Sequence, residues 1–296
     1  MQELTYENIL GEKVTFGENP PFYFRKINGT GSTKARIVPI EATLFDGDVL
    51  YDTSKEYRVV DLTFHIGSGA YRSYTDLFSA REKLQDILAL EKAFDRATQK
   101  MAKITYTNDH GSFYTYAVPE LGLDFSERMK YFNTNIDIAF RSPSAYWRGK
   151  TTSLLLGDSG MGAFSIPFEF PISFAQTTYE GKVLNESPVT SPLEIWVHGN
   201  GESPLLENLS TGSKLIFDRE LFPGEVLYIN TDPKRVICEI YNQDKFVSKG
   251  FAYLNALTPI TSFQLRTGEN TIKYNPTTAQ AGSVIVLKWD RLYEGV

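Results

Sequence analysis

Stretches in which every second residue is apolar constrain this chain more than any other feature. Val60, Leu62, Phe64 and Ile66 alternate with Asp61, Thr63 and His65, and Phe132, Thr134, Ile136, Ile138 and Phe140 alternate with Asn133, Asn135 and Asp137. Successive side chains of a strand point to opposite faces, so this pattern sets one face on a core and the other in water. Leu193, Ile195 and Val197 repeat it, and residues 104–107, 113–118, 226–230, 236–241 and 284–289 read as further strands. With 20 Phe and 17 Tyr, the chain is also rich in the rings that fit a pleated, half-buried surface.

One segment follows a different period. Leu77, Ala80, Leu84, Ile87 and Leu88 recur at helical spacing, with Arg81, Glu82, Lys83 and Asp86 mostly off that stripe. This predicts a helix over about 73–94, opened by a Ser73/Asp76 capping box and laid on the first sheet. The expected fold class is therefore mainly β with one α-helix in the first domain.

At 296 residues the chain exceeds the usual span of one core, which favours two domains. Between 141 and 174, Ser142, Pro143, Gly149, Gly157, Gly160, Gly162, Pro167 and Pro171 interrupt regular structure. The expected division is a first domain over 1–148, a linker over 149–163 and a second domain over 164–296. Pro188, Pro192, Gly199, Gly201, Gly212, Gly224, Gly268 and Gly282 punctuate the last part as in a β-sandwich or jelly roll.

A formal net charge of −6 speaks against a general nucleic-acid binder, which needs a basic face. The only cysteine, Cys238, lies in the alternating run Val236, Cys238, Ile240 and reads as a buried structural thiol. The first fourteen residues, with Glu3, Glu7, Glu12 and Lys13, lack the pattern of a secretion signal, and no apolar run approaches the ~20 residues of a spanning helix. Synthesis in a cytoplasm and no membrane partner are the expectations.

The chemical motifs dissolve one by one. Gly157, Asp158, Ser159, Gly160 resembles the nucleophile tetrad of chymotrypsin-like proteases, but neither His65 nor His110 has that family's surroundings and Met161 stands where a glycine is needed. His65, His110 and His198 are too far apart in sequence to suggest a zinc site. The run from Gly29 to Lys34 lacks phosphate-loop spacing, and Asp46, Gly47, Asp48 reads as a turn lacking the later ligands of a calcium loop. No catalytic residue, metal or cofactor is expected. Trp196, His198 and Asn200 combine a ring with polar groups as sugar sites do, but Glu202 replaces the arginine that would complete a galectin-type motif. A carbohydrate-binding module is the alternative reading, with a serine hydrolase behind it.

Taken in order, the landmarks resemble the distal tail protein of long-tailed, non-contractile bacteriophages over nearly the whole chain. They are the glycine-rich turn 27–31, Asp46 and Gly47, the strand 58–66, the helix after Tyr71, and the run from Phe140 to Trp147 with its Pro-x-x-Tyr-Trp. Asn185, Pro188, Pro192, the strand 193–198, Pro204, Asn208, Thr211, Leu221, Gly224 and Ile229 to Thr231 follow. The series closes on Phe263 to Leu265, Gly268, Asn270, Trp289, Tyr293, Gly295 and Val296. The resemblance implies an N-terminal β-sandwich-like belt domain that closes a hexameric ring, and a C-terminal galectin-like β-sandwich. It implies a structural virion protein at the tail tip, joining the tail-tube protein to the tail-associated tip protein, with receptor-binding or baseplate proteins on its outer domain. DNA would pass through without specific binding. Asp46, Asp48, Glu56 and Asp61 are the candidate acids of an acidic or neutral bore.

Overall fold

The computed structural model describes residues 2–19, 21–41, 48–67, 74–120, 122–125, 133–157, 179–199, 203–255, 259–276 and 284–296. Two compact units result: Met1–Gly149 together with Tyr293–Val296, and Lys150–Leu292.

In the first unit β1 (Glu3–Glu7) lies between β2 (Lys13–Phe16) and β9 (Lys103–Asn108), and β10 (Gly111–Tyr116) extends the sheet to the start of β13 (Trp147–Gly157). A second sheet has the order β11-β12-β6-β3, from β11 (Val118–Pro119), β12 (Asn133–Ser142), β6 (Arg58–Ile66) and β3 (Phe22–Asn28). The alternation sets the register directly: Leu62 pairs with Ile138 and Phe64 with Ile136 on the core face, while Thr63 pairs with Asp137 on the other. Rings join the two layers, with Phe16 4.7 Å from Phe64 and Tyr6 5.5 Å from Phe140. A register shift between Asn133 and Ile136 centres on Asn135, whose φ of 57° suits a short polar residue.

The helix is real but shorter than its periodicity suggests. α1 (Tyr74–Ile87) buries Leu77, Ala80, Leu84 and Ile87 in the same core, and the proposed cap at Ser73 lies outside the described residues. Ala89 then turns extended at ψ 135°, α2 (Leu90–Ala93) adds one turn, and Phe94 enters β7 (Phe94–Asp95), paired with β8 (Lys100–Met101). The β1–β2 turn decides this ending. Asn8 donates to the Ile87 carbonyl at 3.3 Å and Ile9 N–H to that of Lys92 at 2.9 Å, satisfying carbonyls that a continuous helix would have used itself.

Between β3 and β6 the chain forms a separate hairpin, β4 (Ala35–Glu41) with β5 (Asp48–Lys55), which among the described residues pairs with no other strand. The turn expected at Asp46 and Gly47 falls outside the described residues.

The second unit is a two-layer sandwich. One sheet has the order β24-β16-β19-β20-β21, from β16 (Glu194–His198), β19 (Glu225–Asn230), β20 (Ile237–Asn242), β21 (Lys245–Lys249) and β24 (Val284–Tyr293). The other has the order β14-β23-β17-β18, from β14 (Glu180–Asn185), β17 (Pro204–Asn208), β18 (Ser213–Ile216) and β23 (Gly268–Pro276). A short pair, β15 (Ser191–Pro192) with β22 (Gln264–Leu265), completes it. Ile195, Leu227, Ile240 and Leu287 meet Leu206, Leu215, Ile272 and Tyr274 in the core. Cys238 is fully buried there, and loss of solvation pushes its thiol up to about 12, so it stays protonated and inert.

The division differs from the sequence reading in two places. Residues 149–157 of the expected linker belong to β13, where Leu155 and Leu156 are buried, and 158–163 lie outside the described residues. The last four residues group with the first unit, not the second. Glycine misled the reading at 149: a Cβ there would sit 2.5 Å from the Tyr293 ring, so this glycine serves close packing and not flexibility.

Candidate assembly surfaces

Apart from Val59 and Ala139, the face of the β11-β12-β6-β3 sheet turned from the core is polar at its described centre. Tyr23 stacks on His65 at 4.6 Å with the planes 8° apart, and Arg25 Nε donates to His65 Nδ1 at 2.9 Å. That bond requires a lone pair on Nδ1, so it places the imidazole proton on Nε2. Burial, and then the Arg25 charge, hold His65 below its ordinary pKa and keep it neutral. Beside it Thr63 donates to Asp137 at 2.5 Å, and Asp61 is exposed on the same face. Arg141 pairs with Glu120 at 2.7 Å and lies 3.7 Å from the Tyr57 ring centroid. Both signs of charge are present, without an apolar layer or a basic stripe. Of the four candidate acids, Asp61 is on this face and Glu56 is exposed in the connection between β5 and β6. Asp46 and the Asp48 side chain lie outside what is described.

A second group of residues, invisible as a group in the sequence, ties distant segments of the first unit together. Arg58 is 1% exposed, and its guanidinium donates to the carbonyls of Gly29, of Gly31 at 2.6 Å, of Ala145 at 2.6 Å and of Glu294 at 2.8 Å. The Trp147 ring lies 5.4 Å from it, and Val296 N–H donates to Thr30 O at 3.0 Å. Gly29 is required here: its φ is +86°, and a Cβ would fall 2.0 Å from Val59 O. The glycine turn, the Pro-x-x-Tyr-Trp run and the final residues thus meet at one cation.

In the second unit, landmark asparagines act as loop clamps. Asn185 donates to the carbonyls of Val189 and Leu265, both at 3.1 Å, and accepts from Ser187 N–H at 3.0 Å and Ser191 Oγ at 3.1 Å. Asn208 donates to Gln264 O at 3.0 Å, and Asn270 to Arg266 O at 2.8 Å. All three are buried, so each serves the fold and presents nothing to a partner.

Trp196 and His198 share the side of β16 opposite Ile195 and Val197, and Asn200 lies outside the described residues. The Trp196 ring is engaged already: Tyr228 is 5.0 Å away, Lys288 Nζ is 4.7 Å from its centroid, and it packs on Leu155, Val284 and Val286. His198 pairs with Val226 and Val284, and burial lowers its pKa from 6.5. An unfolded chain therefore binds a proton below 6.5 that the folded one refuses until lower pH. Stability of the second unit should fall as pH drops through 6.5 towards the folded value. His198→Gln should flatten that slope in urea titrations between about pH 5 and 7, and an unchanged slope would assign it elsewhere.

Ser159 lies outside the described residues. Among the described residues no three His, Cys, Asp or Glu side chains gather as metal ligands, and no helix is long and apolar enough to cross a membrane.

Solved structures share this architecture from end to end. The SPP1 Dit protein, described as a paradigm of the hub adsorption apparatus in phages infecting Gram-positive bacteria, matches with a TM-score of 0.63 over 99% of both chains at 13% identity. The chain has the fold of the Dit hub proteins. A chain of the phage P2 baseplate in its activated conformation matches with a TM-score of 0.61 over 100% of both chains at 12% identity, in the calcium form and again in the strontium form. No family model and no curated protein matches the sequence. The Dit fold at such low identity is retained through the packing pattern, since a core accepts extensive substitution while volume and patterning hold.

Proposed function

We propose that the chain is a structural virion protein: a ring-shaped hub at the distal end of a phage tail, not an enzyme. The observation that carries this reading is likeness to phage hub and baseplate chains over the full length of both partners, so both units are accounted for. In this reading the first unit closes a hexameric ring, joined to the tail-tube protein on one side and the tail-associated tip protein on the other. The second unit faces outward and holds receptor-binding or baseplate proteins. The polar face of the β11-β12-β6-β3 sheet suits the bore. Its acids Asp61 and Asp137 stand among Arg25, Lys26 and Arg141, with Arg25 bonded to His65 and Arg141 to Glu120, so the face carries mixed charge and not the run of free cations that would grip DNA phosphates.

Electron micrographs of the purified protein test this, with mass photometry giving the copy number. Rings with a central hole are expected. A chain that stays monomeric at every concentration, and in tail particles too, would overturn the reading; dissociation on dilution alone would not, because ring contacts depend on concentration. The carbohydrate alternative is tested on a glycan array, where specific binding lost in Trp196→Ala would establish a sugar site.

A further inference from the structure

Four passages of the chain meet at Arg58. The chain runs through the turn 29–31 toward the β4–β5 hairpin and returns at Arg58 itself; it leaves the first unit after Ala145, through β13, and comes back at Tyr293 once the second unit is complete. One guanidinium holds carbonyls from the other three passages, with Nη1 on Gly29 and Gly31 and Nη2 on Ala145 and Glu294. Gly29, Gly31 and Ala145 precede the second unit in sequence, whereas Glu294 follows it. The first unit is therefore finished by a segment that the chain supplies only after the second unit has been made.

The returning segment fits closely. Tyr293 meets Phe113 edge to face at 4.9 Å, Val296 N–H donates to Thr30 O at 3.0 Å, and a Cβ on Gly295 would fall 3.2 Å from Gly31 Cα. Tyr293 and Val296 pack on the first core, and the Glu294 carboxylate pairs at 3.4 Å with Lys55, the last residue of β5. Until this segment arrives, Arg58 has one acceptor too few and the core under Tyr293 and Val296 is uncovered, and a buried polar network that is only partly satisfied is costly.

We propose that residues 293–296 act as an assembly gate: the first unit becomes competent to join other copies only when the chain, having made the second unit, returns and closes the Arg58 junction. This rests on the hub reading above. Domains fold in order from the N-terminus during synthesis, so a first unit that matured as soon as residue 149 emerged would be free to enter a ring without its second unit. Closure from downstream prevents this. The junction also pins both approaches to the β4–β5 hairpin, at 29–31 and at Lys55 and Arg58. A closed ring requires every subunit to present its surfaces at one fixed angle, and an open junction leaves that angle unset.

The test compares the native chain with a chain lacking residues 293–296, with Gly295→Val and with Glu294→Ala, using mass photometry over a concentration series and hydrogen exchange in the second unit. Glu294→Ala is the control, because it removes the Lys55 pair and keeps the carbonyl that Arg58 holds. The native chain and Glu294→Ala should form rings at similar concentrations. The deletion and Gly295→Val should each raise the half-assembly concentration at least about tenfold, with exchange in the second unit unchanged. If the deletion unfolds the first unit outright, Gly295→Val carries the test: a chain with native circular dichroism that fails to assemble supports the gate, and one that assembles like the native chain overturns it. Rings from the deleted chain at native concentrations also overturn it, as does loss of exchange protection in the second unit or a Glu294→Ala chain as defective as the deletion. Absence of rings from the native chain would instead count against the hub reading itself.

Discussion

Arg58→Met should lower the stability of the first unit by about 4 kcal/mol, the range seen when one member of a buried charged network is removed. Methionine keeps much of the volume, so the loss is mainly electrostatic. The carbonyls of Gly29, Gly31, Ala145 and Glu294 lose their donor, that of Ala145 in a fully buried place and the others where water has only partial access. Burial lowers the pKa of Arg58 to about 10, which still leaves the cation intact at neutral pH. Arg58→Lys should recover only part of the loss, because a point ammonium with three donors cannot span carbonyls arranged for a planar fork. Hydrogen exchange resolved along the chain is the measurement, since two units need not unfold together. Faster exchange should appear in β3, β6 and the last four residues, with the second unit unchanged. Deleting residues 293–296 removes the Glu294 acceptor and the Val296–Thr30 bond, and its cost should be strongly non-additive with Arg58→Met. Additive costs, or a change below about 1 kcal/mol for Arg58→Met, would mean that the cation does not organise these segments.

Asn185→Leu is the matching experiment in the second unit, with an expected cost of about 3 kcal/mol, because the buried carbonyl of Leu265 and N–H of Ser187 lose their partner, as does the partly buried carbonyl of Val189. Leucine is similar in size, so cavity formation contributes little. The Ser187 and Ser191 hydroxyls, 2.9 Å apart, can still bond each other and soften the loss. Asn185→Asp should cost as much or more, since it replaces the amide donor by a buried charge facing two carbonyls. Urea unfolding followed by exchange in β14, β15 and β22 would report it. Near-native stability in both variants would show that the asparagine is replaceable by water.

Much of the fold was legible in the residues. Strict alternation in 60–66 and 136–140 determined which faces are buried and paired Leu62 with Ile138, because a shift by one residue would turn the whole apolar set into water. The 3.6-residue stripe from Leu77 to Ile87 determined that one helix interrupts the strands, and the run around Cys238 placed that thiol in a core. The landmark order led to the Dit fold, though the asparagines that carried it are clamps and not binding groups.

Tertiary structure decided the rest, and in each case the deciding partner is distant in sequence. The helix ends early because Asn8 and Ile9 reach its carbonyls, contacts absent from the local period. The Gly149 region is strand and not linker because a Tyr293 ring needs the space that a side chain would fill. The β4–β5 hairpin escaped notice because exposed faces leave no alternation to read. Arg58 looked like one more charged residue at the head of a strand. Only the fold brings Gly29, Gly31, Ala145 and Glu294, separated by up to 236 positions from it, within reach of a single guanidinium. Periodicity records which residues avoid water, whereas a buried polar group is satisfied by whatever the completed chain places beside it.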